Sequence, residues 1–415
     1  MPILFLIVVV DLIGFGIIIP LLPLYAEIMD ADPATVGLVM ATYSLTQFIA
    51  APFWGRTSDS MGRRPILLIS LFGAALSYVW LGYADNIWML FGARAIGGFM
   101  AGNISTAFAY VADITTRETR AKGMGLIGAA FGLGFIVGPA IGGILAGSDP
   151  LHADYRTPAL VAAGLSILAW GLGIVFLKES LAPEVRERLT VRPKQIRREQ
   201  FRAALSQSKV GLLIALAFLT TLAFAGLEAT FAMWSKRQFG WGPAQNGYVF
   251  AYVGILGAAV QGCMIGRLNR HFGEARLIIQ GAGALCVGIL MIPFSHTLPL
   301  LLIAMTIAGY GFSIVSPALS SLISLQVGEE DQGSLMGVSR SATTRSTSSI
   351  APAPMPCRGV LCGSTRPSQI LCGCLFVARM LRCRIQPSSK IIAHAAGYGI
   401  RSLFGLCSSL PVSVM

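Results

Sequence analysis

Apolar runs of about twenty residues, the length a helix needs to cross a bilayer, recur ten times along this chain. They lie near 3–24, 34–54, 65–84, 87–110, 122–146, 157–177, 209–232, 243–265, 275–294 and 298–325. The polar stretches between them alternate in charge. Those after runs two, four, six and eight carry Arg56/Arg63/Arg64, Arg117/Arg120/Lys122, the block 178–209, and Arg267/Arg270/Arg276. Those after runs one and three carry Glu27, Asp30, Asp32 and Asp85, and only Lys236 and Arg237, after run seven, break the alternation. Positive charge marks the cytoplasmic side, so the even-numbered loops and the amino terminus are expected there.

The connection from Lys178 to Lys209 is the one long polar segment. Its alternating charges and its prolines at 183 and 193 read as a solvated linker, partly an amphipathic surface helix. It divides the chain into halves that echo each other. Gly55–Pro65 after run two has a weaker counterpart in Gly266–Leu277 after run eight, and Arg120–Gly128 is echoed by Gln332–Arg340. A duplicated six-helix unit explains both echoes and is how many secondary transporters are built. The expected organisation is therefore a first bundle over 1–177, a cytoplasmic linker over 178–208, and a second bundle over 209–344. That second bundle holds helices seven to ten and the start of an eleventh, and an atypical tail occupies 345–415.

Composition agrees: 54% of the 415 residues are hydrophobic and 12% charged, with mean hydropathy +0.70. A soluble domain carries about 25% charged residues, so a polytopic membrane protein is expected. No small-residue cleavage site follows the first run, so no cleaved signal peptide is expected. The net charge of +12 does not announce a nucleic-acid partner, because residues 345–415 supply +8 of it and the rest only +4.

Within the spans, few residues carry chemistry. Asp11 stands about 12 Å deep at 1.5 Å per residue, where a carboxylate costs several kcal/mol unless it is paired, neutral or facing water. A group able to shed and regain a proton at that depth suits a proton carrier, and Arg94 in run four is its natural charge partner. Glu228 in run seven is a second buried acid, opening the second half as Asp11 opens the first. Two acids facing one cavity would let protonation bias one state against another, although Trp234 and Lys236 beside Glu228 also fit a side chain reaching the interface. Gln47, Asn103, Gln261 and Gln280 are candidates for a cavity wall, as are Tyr43, Phe108, Trp170 and Tyr252 for contact with a flat ligand. Helix packing accounts for most of them equally well.

The stretch Gly55–Pro65 (GRTSDSMGRRP) reads as a tight basic turn. Gly55 and Gly62 allow the close approach, and Asp59 is placed to meet the amino end of the next helix and the nearby Arg63 and Arg64. Such a charge cluster can latch two helices in one state and release them in another. Gly134, Gly138 and Gly142, with Gly143, repeat at four-residue spacing, stripping one helix face so that another packs closely across the interface between halves; Pro139 is expected to bend that helix.

These residues together resemble the major facilitator superfamily, specifically its twelve-helix drug:proton antiporters of the tetracycline-exporter type. Asp11–Pro23 (DLIGFGIIIPLLP) is similar to that family's first helix and Gly55–Pro65 to its signature loop. Arg94-x-x-x-Gly98 and Gly134–Gly143 (GFIVGPAIGG) match in order, the last as the antiporter motif. The resemblance covers residues 1 to about 344. It implies a monomer in the cell's inner membrane that uses the proton gradient and needs no cofactor. It also implies that the protein exports a small amphipathic drug such as tetracycline by alternating access. One departure is Ser77, where the family carries an aspartate in span three, and this weighs against tetracycline itself.

After about residue 340 the chain changes character. Six of its eight cysteines lie between Cys357 and Cys407, no acid follows Asp331, and Ser, Pro and Arg dominate. Neither Ile370–Leu381 nor Ile391–Met415 makes a convincing span. Loss of the natural reading frame near 340–346 accounts for this, and resequencing codons 330–360 tests it. The cysteine spacing matches no strong zinc pattern, so no metal is expected. The chain also begins almost inside its first span, so a few amino-terminal residues are expected to be missing. The overall expectation is an all-α polytopic membrane protein with a major-facilitator-like fold of two six-helix bundles, the second incomplete. It has no catalytic constellation and no nucleic-acid partner. Its partners are a small-molecule substrate, protons and the bilayer. The rival expectations are a proton-coupled uptake carrier for a small metabolite and a transport-dead product.

Overall fold

A computed structural model of the chain describes residues 2–150, 152–181 and 208–325. The expected second repeat echo (332–340), the start of helix eleven, the tail 345–415 and all but the first residues of the linker lie outside the described residues. Thirteen α-helices follow one another, and no strand occurs among the described residues. The first half comprises α1 (Pro2–Ile18), α2 (Leu22–Ile28), α3 (Pro33–Met61), α4 (Arg63–Gly82), α5 (Ile87–Ala101), α6 (Ile104–Ile114), α7 (Arg117–Ala146) and α8 (Arg156–Phe176). The second comprises α9 (Ser208–Phe239), α10 (Pro243–Ala259), α11 (Ile265–Phe272), α12 (Glu274–Met291) and α13 (Leu298–Leu325). A π-helical turn, Val260–Met264, joins α10 to α11. Because α1 continues into α2, α5 into α6 and α10 into α11, the helices make ten membrane-length spans, six in the first half and four in the second.

The span positions agree with the apolar runs; the ends do not. The sequence expectation put a turn over 55–65, whereas α3 continues unbroken to Met61 and the chain reverses at a single residue, Gly62, with φ +104°. Nothing between Arg56 and Met61 breaks a helix, and only glycine adopts the conformation that follows. Gly55 is an interior helix residue whose added Cβ would meet only Ser105 Oγ, at 4.0 Å, so it has no turn role. Gly273, with φ +72°, makes the matching break between α11 and α12, which gives the weak sequence echo a structural counterpart. Gly62→Ala is expected to cost about 1–3 kcal/mol, the range for a non-glycine residue held in such a conformation, read as a lower unfolding midpoint of the detergent-purified protein.

Polar caps fix the exposed helix starts at the odd-numbered loops. Asp32 accepts from the Thr35 hydroxyl and from Thr35 N at 3.2 Å. These bonds, the hydroxyl's chiefly, hold the Asp32 carboxyl below the usual carboxylate range. Asp154 likewise accepts from Arg156 N and Thr157 N at 2.9 and 3.0 Å ahead of α8.

Among the described residues, the two halves pack together from one end to about mid-span. At the end bearing the odd-numbered loops, a common apolar core joins Ile17, Leu21 and Leu24 of the first half to Ala232 and Met233 of α9. There the Ala244 amide donates to Gly147 O at 3.0 Å. Toward the other end each half keeps its own core. One is built on Leu4, Leu67, Val111 and Leu177, the other on Leu213, Leu277, Ile314 and Leu319. The seam between α7 and α10 shows the same splay. It is close-packed from Gly143 against Pro243 and Ala244 down to Gly254 against Phe135 and Ile136. Beyond that, a Cβ on Gly132, Gly128 or Gly125 would meet nothing.

The charge exception at Lys236 and Arg237 is explained at the closed end. Lys236 Nζ lies 2.9 Å and Arg237 Nη2 3.6 Å from the Glu27 carboxylate across the junction of the halves. Partly buried charges paired in this way are costly to leave single. Glu27→Gln is therefore expected to loosen this end, raising thiol labelling of a cysteine placed at Ala232, which is otherwise fully buried; unchanged labelling would show that the apolar core alone keeps it shut.

Candidate functional site

The glycine stripe of α7 sets the geometry of the first half. Added Cβ atoms on Gly134 and Gly138 would lie 2.8 Å from Leu12 and 2.6 Å from Gly16, and Gly142 meets the Ile17 backbone. Helix backbones in such contact cannot rotate freely. The stripe therefore seats α1 within its own half, and the expectation that it packs across the interface between halves needs correction. Gly143, with Pro139 through its carbonyl against Gly247, is the part that does face α10. With Pro139 in place, α7 remains one helix from Arg117 to Ala146.

Fixed in this way, α1 presents Asp11 and Phe15 to a cavity of about 140 Å³. The cavity is walled by aromatic rings, Phe15, Tyr43, Tyr78, Phe131 and Phe135, and by the polar side chains of Gln47, Ser70, Ser77 and Asn103. Phe15 stacks on Tyr43 at 5.1 Å and meets Phe135 edge-on at 6.3 Å. Ser166, fully buried on α8, donates to Asp11 Oδ1 at 3.4 Å. Gln47 Nε2 donates to Ala101 O at 3.2 Å and Asn103 Nδ2 donates to Ser70 Oγ. Gln47 and Asn103 are thus cavity residues, with part of their hydrogen-bonding capacity already used. Of the aromatic candidates only Tyr43 lines it: Phe108 and Trp170 pack against the first half's core, and Tyr252 is bonded to Thr306. Phe15, Tyr78, Phe131 and Phe135 were missed. Phe15 could have been found from its place four residues after Asp11, one turn along the same helix face.

Three expectations about this site are corrected. Asp11 and Arg94 form no ion pair among the described residues; the Arg94 guanidinium lies instead 4.1 Å from the centre of the Tyr43 ring. Depth along a helix was legible, but the face each residue takes was not. Glu228 does not share the cavity, whose lining residues all belong to the first half. It sits half-buried on α9, with no hydrogen bond or ion pair among the described residues. Gln261 is exposed within the π-helical turn and is not among the residues lining this cavity.

The basic loop holds a charge network at the other end. Arg63, 5% exposed, donates to Asp59 Oδ1 at 2.5 Å, to Ser58 Oγ at 2.7 Å and to Asp113 Oδ2 at 3.1 Å. Asp59 does not cap the following helix as expected. Glu179, just past α8, does so, accepting from Arg63 N at 2.8 Å and Arg64 N at 3.1 Å. A carboxylate at a helix start satisfies open amides and the helix dipole together, and Asp59 is already drawn to Arg63. Arg64 turns away to the Ile174 carbonyl at 2.7 Å. In the second half Arg267, Arg270 and Arg276 are exposed and without ion pairs among the described residues, so only the first half shows a network of this kind.

Comparison with known proteins bears on both fold and site. A family model for the Major Facilitator Superfamily matches residues 4–352. The chain is 34% identical to the class C tetracycline resistance protein of Escherichia coli, covering 83% of this chain and 86% of that one. It is 31% identical to multidrug resistance protein 2 of Bacillus subtilis, covering 81% and 82%. Among solved structures, the human organic anion transporter MFSD10 superposes with a TM-score of 0.62 at 26% identity over 84% of this chain and 91% of that one. A bacterial homologue of the lysosomal transporter Spinster, in an inward-facing conformation, superposes at 0.70 with 15% identity over 84% and 79%, a likeness of fold. The family points to a transporter of small molecules embedded in the membrane by many spans, rather than to an enzyme. The family model runs through all six spans of the first half and the four described spans of the second, and the chain belongs to the Major Facilitator Superfamily.

Proposed function

We propose that the protein exports a small amphipathic compound across the cytoplasmic membrane in exchange for protons. The observation that carries this reading is the cavity: an acid, Asp11, held by Ser166 at mid-span against five aromatic rings. An intramembrane carboxylate beside an apolar pocket is costly to keep unless it serves a pathway, and here it is the one group able to exchange a proton where a ligand would sit. The charge alternation of the loops puts the amino terminus and the even-numbered loops in the cytoplasm. On that orientation the structure is closed outside, at Glu27, Lys236 and Gly147, and splayed inside. Alternating access then requires the α7–α10 seam to close at the inner end while the outer junction parts. The Arg63 network, which ties the loop after α3 to Asp113 and Glu179, keeps the first half rigid at the inner end as a conformational latch. Glu228 contributes to coupling only in a state that brings α9 toward the cavity.

At about 140 Å³ the cavity is smaller than the roughly 300–1,000 Å³ typical of drug pockets, so a tetracycline-sized ligand needs side chains such as Phe131 and Met100 to move. The resistance proteins among the relatives favour a drug as substrate. The test is accumulation of tetracycline and of a planar fluorescent dye in cells expressing the chain. Lower accumulation, restored by a protonophore, is expected for at least one of them. Accumulation equal to that of empty-vector cells, with the protein present in the membrane, contradicts export.

A further inference from the structure

At the closed end, the Glu27 carboxylate of α2 is held by two cations of the second half, Lys236 and Arg237 of α9. Parting of the halves carries both cations away with α9. A partly buried carboxylate left single is costly, so opening calls for a second donor that stays with the first half. One is in place. The Tyr155 hydroxyl, at the start of α8, is buried and has no hydrogen-bond partner among the described residues. Its ring is fixed, stacked on Tyr25 with centroids 4.9 Å apart and planes 1° from parallel. Tyr25 is itself anchored, donating to Ala84 O at 2.8 Å and to Leu81 O at 3.3 Å. Burial holds the Tyr155 phenol above the usual tyrosine range and the Glu27 carboxylate raises it further, so the two groups lie within electrostatic reach. The neighbouring cation, Arg156, is engaged elsewhere, 4.1 Å from the centre of the Tyr83 ring.

We propose that Glu27 exchanges partners as the outer end opens. Lys236 and Arg237 of the second half hold it while that end is closed, and the Tyr155 hydroxyl of its own half receives it when the halves part. This rests on the alternating-access reading and adds the group that makes opening affordable to Glu27. Glu27 and Tyr155 both belong to the first half and stay together when it moves as a body. The flexible glutamate side chain covers the remaining gap by changing rotamer, without movement of the backbone. Tyrosine suits the position: its ring packs in the closed core with Ala232 and Met233, and its hydroxyl is left to bond when the cations depart.

The test is thiol labelling of Ala232→Cys by a membrane-impermeant maleimide in cells, taken as the excess over the chain without that cysteine. Ala232 is fully buried in the closed state, so labelling reads opening of the outer end. Tyr155→Phe keeps the stacked ring and removes only the hydroxyl. It is expected to lower labelling about tenfold, since a hydrogen bond to a charged group is among the stronger ones. In a Glu27→Ala chain the same substitution is expected to change labelling by about twofold at most, because interacting residues are non-additive. The unfolding midpoint of the purified Tyr155→Phe chain is expected not to fall, since in the closed state the hydroxyl bonds nothing. Unchanged labelling in Tyr155→Phe, an equal loss in the Glu27→Ala background, or a lower midpoint would each overturn the proposal. No labelling in any of these chains means that the outer end does not part, which overturns alternating access and the exchange together. Labelling needs no substrate, so a chain that shows the Glu27-dependent effect but moves nothing refutes export and leaves the exchange standing.

Discussion

Asp11→Asn abolishes pH-driven export while the protein still inserts and purifies as the native chain does. Asparagine has nearly the same shape and keeps a hydrogen bond to Ser166, so the packing of α1 on α7 is undisturbed. What it loses is the ability to bind and release a proton in the cavity. With no other acid among the cavity's lining residues, a gradient has nothing in that pocket to act on. Transport driven by a pH gradient should fall to the level of empty vesicles, a drop of 100-fold or more, whereas downhill exchange of labelled for unlabelled ligand persists. The measurement is the two rates in parallel on the same reconstituted sample. Full gradient-driven activity in the variant removes Asp11 from the mechanism and moves attention to Glu228.

Gly138→Leu prevents the first half from assembling. The nearest atoms to an added Cβ are the Gly16 Cα and carbonyl carbon, both at 2.6 Å, and the Ile13 carbonyl oxygen at 2.8 Å. These are backbone atoms of α1, which no rotamer change can move. A branched side chain must push α1 and α7 apart, disrupting the wall that carries Asp11 and Phe15. Overpacking in well-packed interiors costs about 1–3 kcal/mol where side chains can yield, and here they cannot, so the expected loss is at or above the top of that range. Loss of the monodisperse peak in fluorescence-detected size exclusion is the readout. Gly128→Leu, at a site where a Cβ meets nothing, serves as the control and should purify normally.

The spans were legible because bilayer thickness sets the length of an apolar run, and ten runs became ten spans. Glycine spacing disclosed that α7 packs closely, but a period of four residues names a face without naming its neighbour; the neighbour of Gly134, Gly138 and Gly142 is α1. The loop at Gly62 was legible as a break and not in its extent, since hydropathy falls at Gly55 whereas the helix ends only where glycine takes a positive φ. Arg94 illustrates the main gap. It lies about as many residues from the outer end of its span as Asp11 does from the inner end of its own, yet that count does not decide contact, and it turned to the Tyr43 ring. Glu228 failed for the same reason. The pairing of Glu27 with Lys236 and Arg237, some two hundred positions away in sequence, has no local signal beyond the broken charge alternation, which in retrospect marked it.

The most direct test of the account is the direction of coupled flux in proteoliposomes holding the purified full chain. A pH gradient is imposed, and movement of a bound planar ligand and of protons is followed together. The account predicts that ligand moves against the proton flow and that adding ligand to the acidic side draws no protons with it. Ligand moving in the same direction as protons contradicts exchange and makes the protein an uptake carrier, and no flux from a folded, ligand-binding chain contradicts transport by this chain.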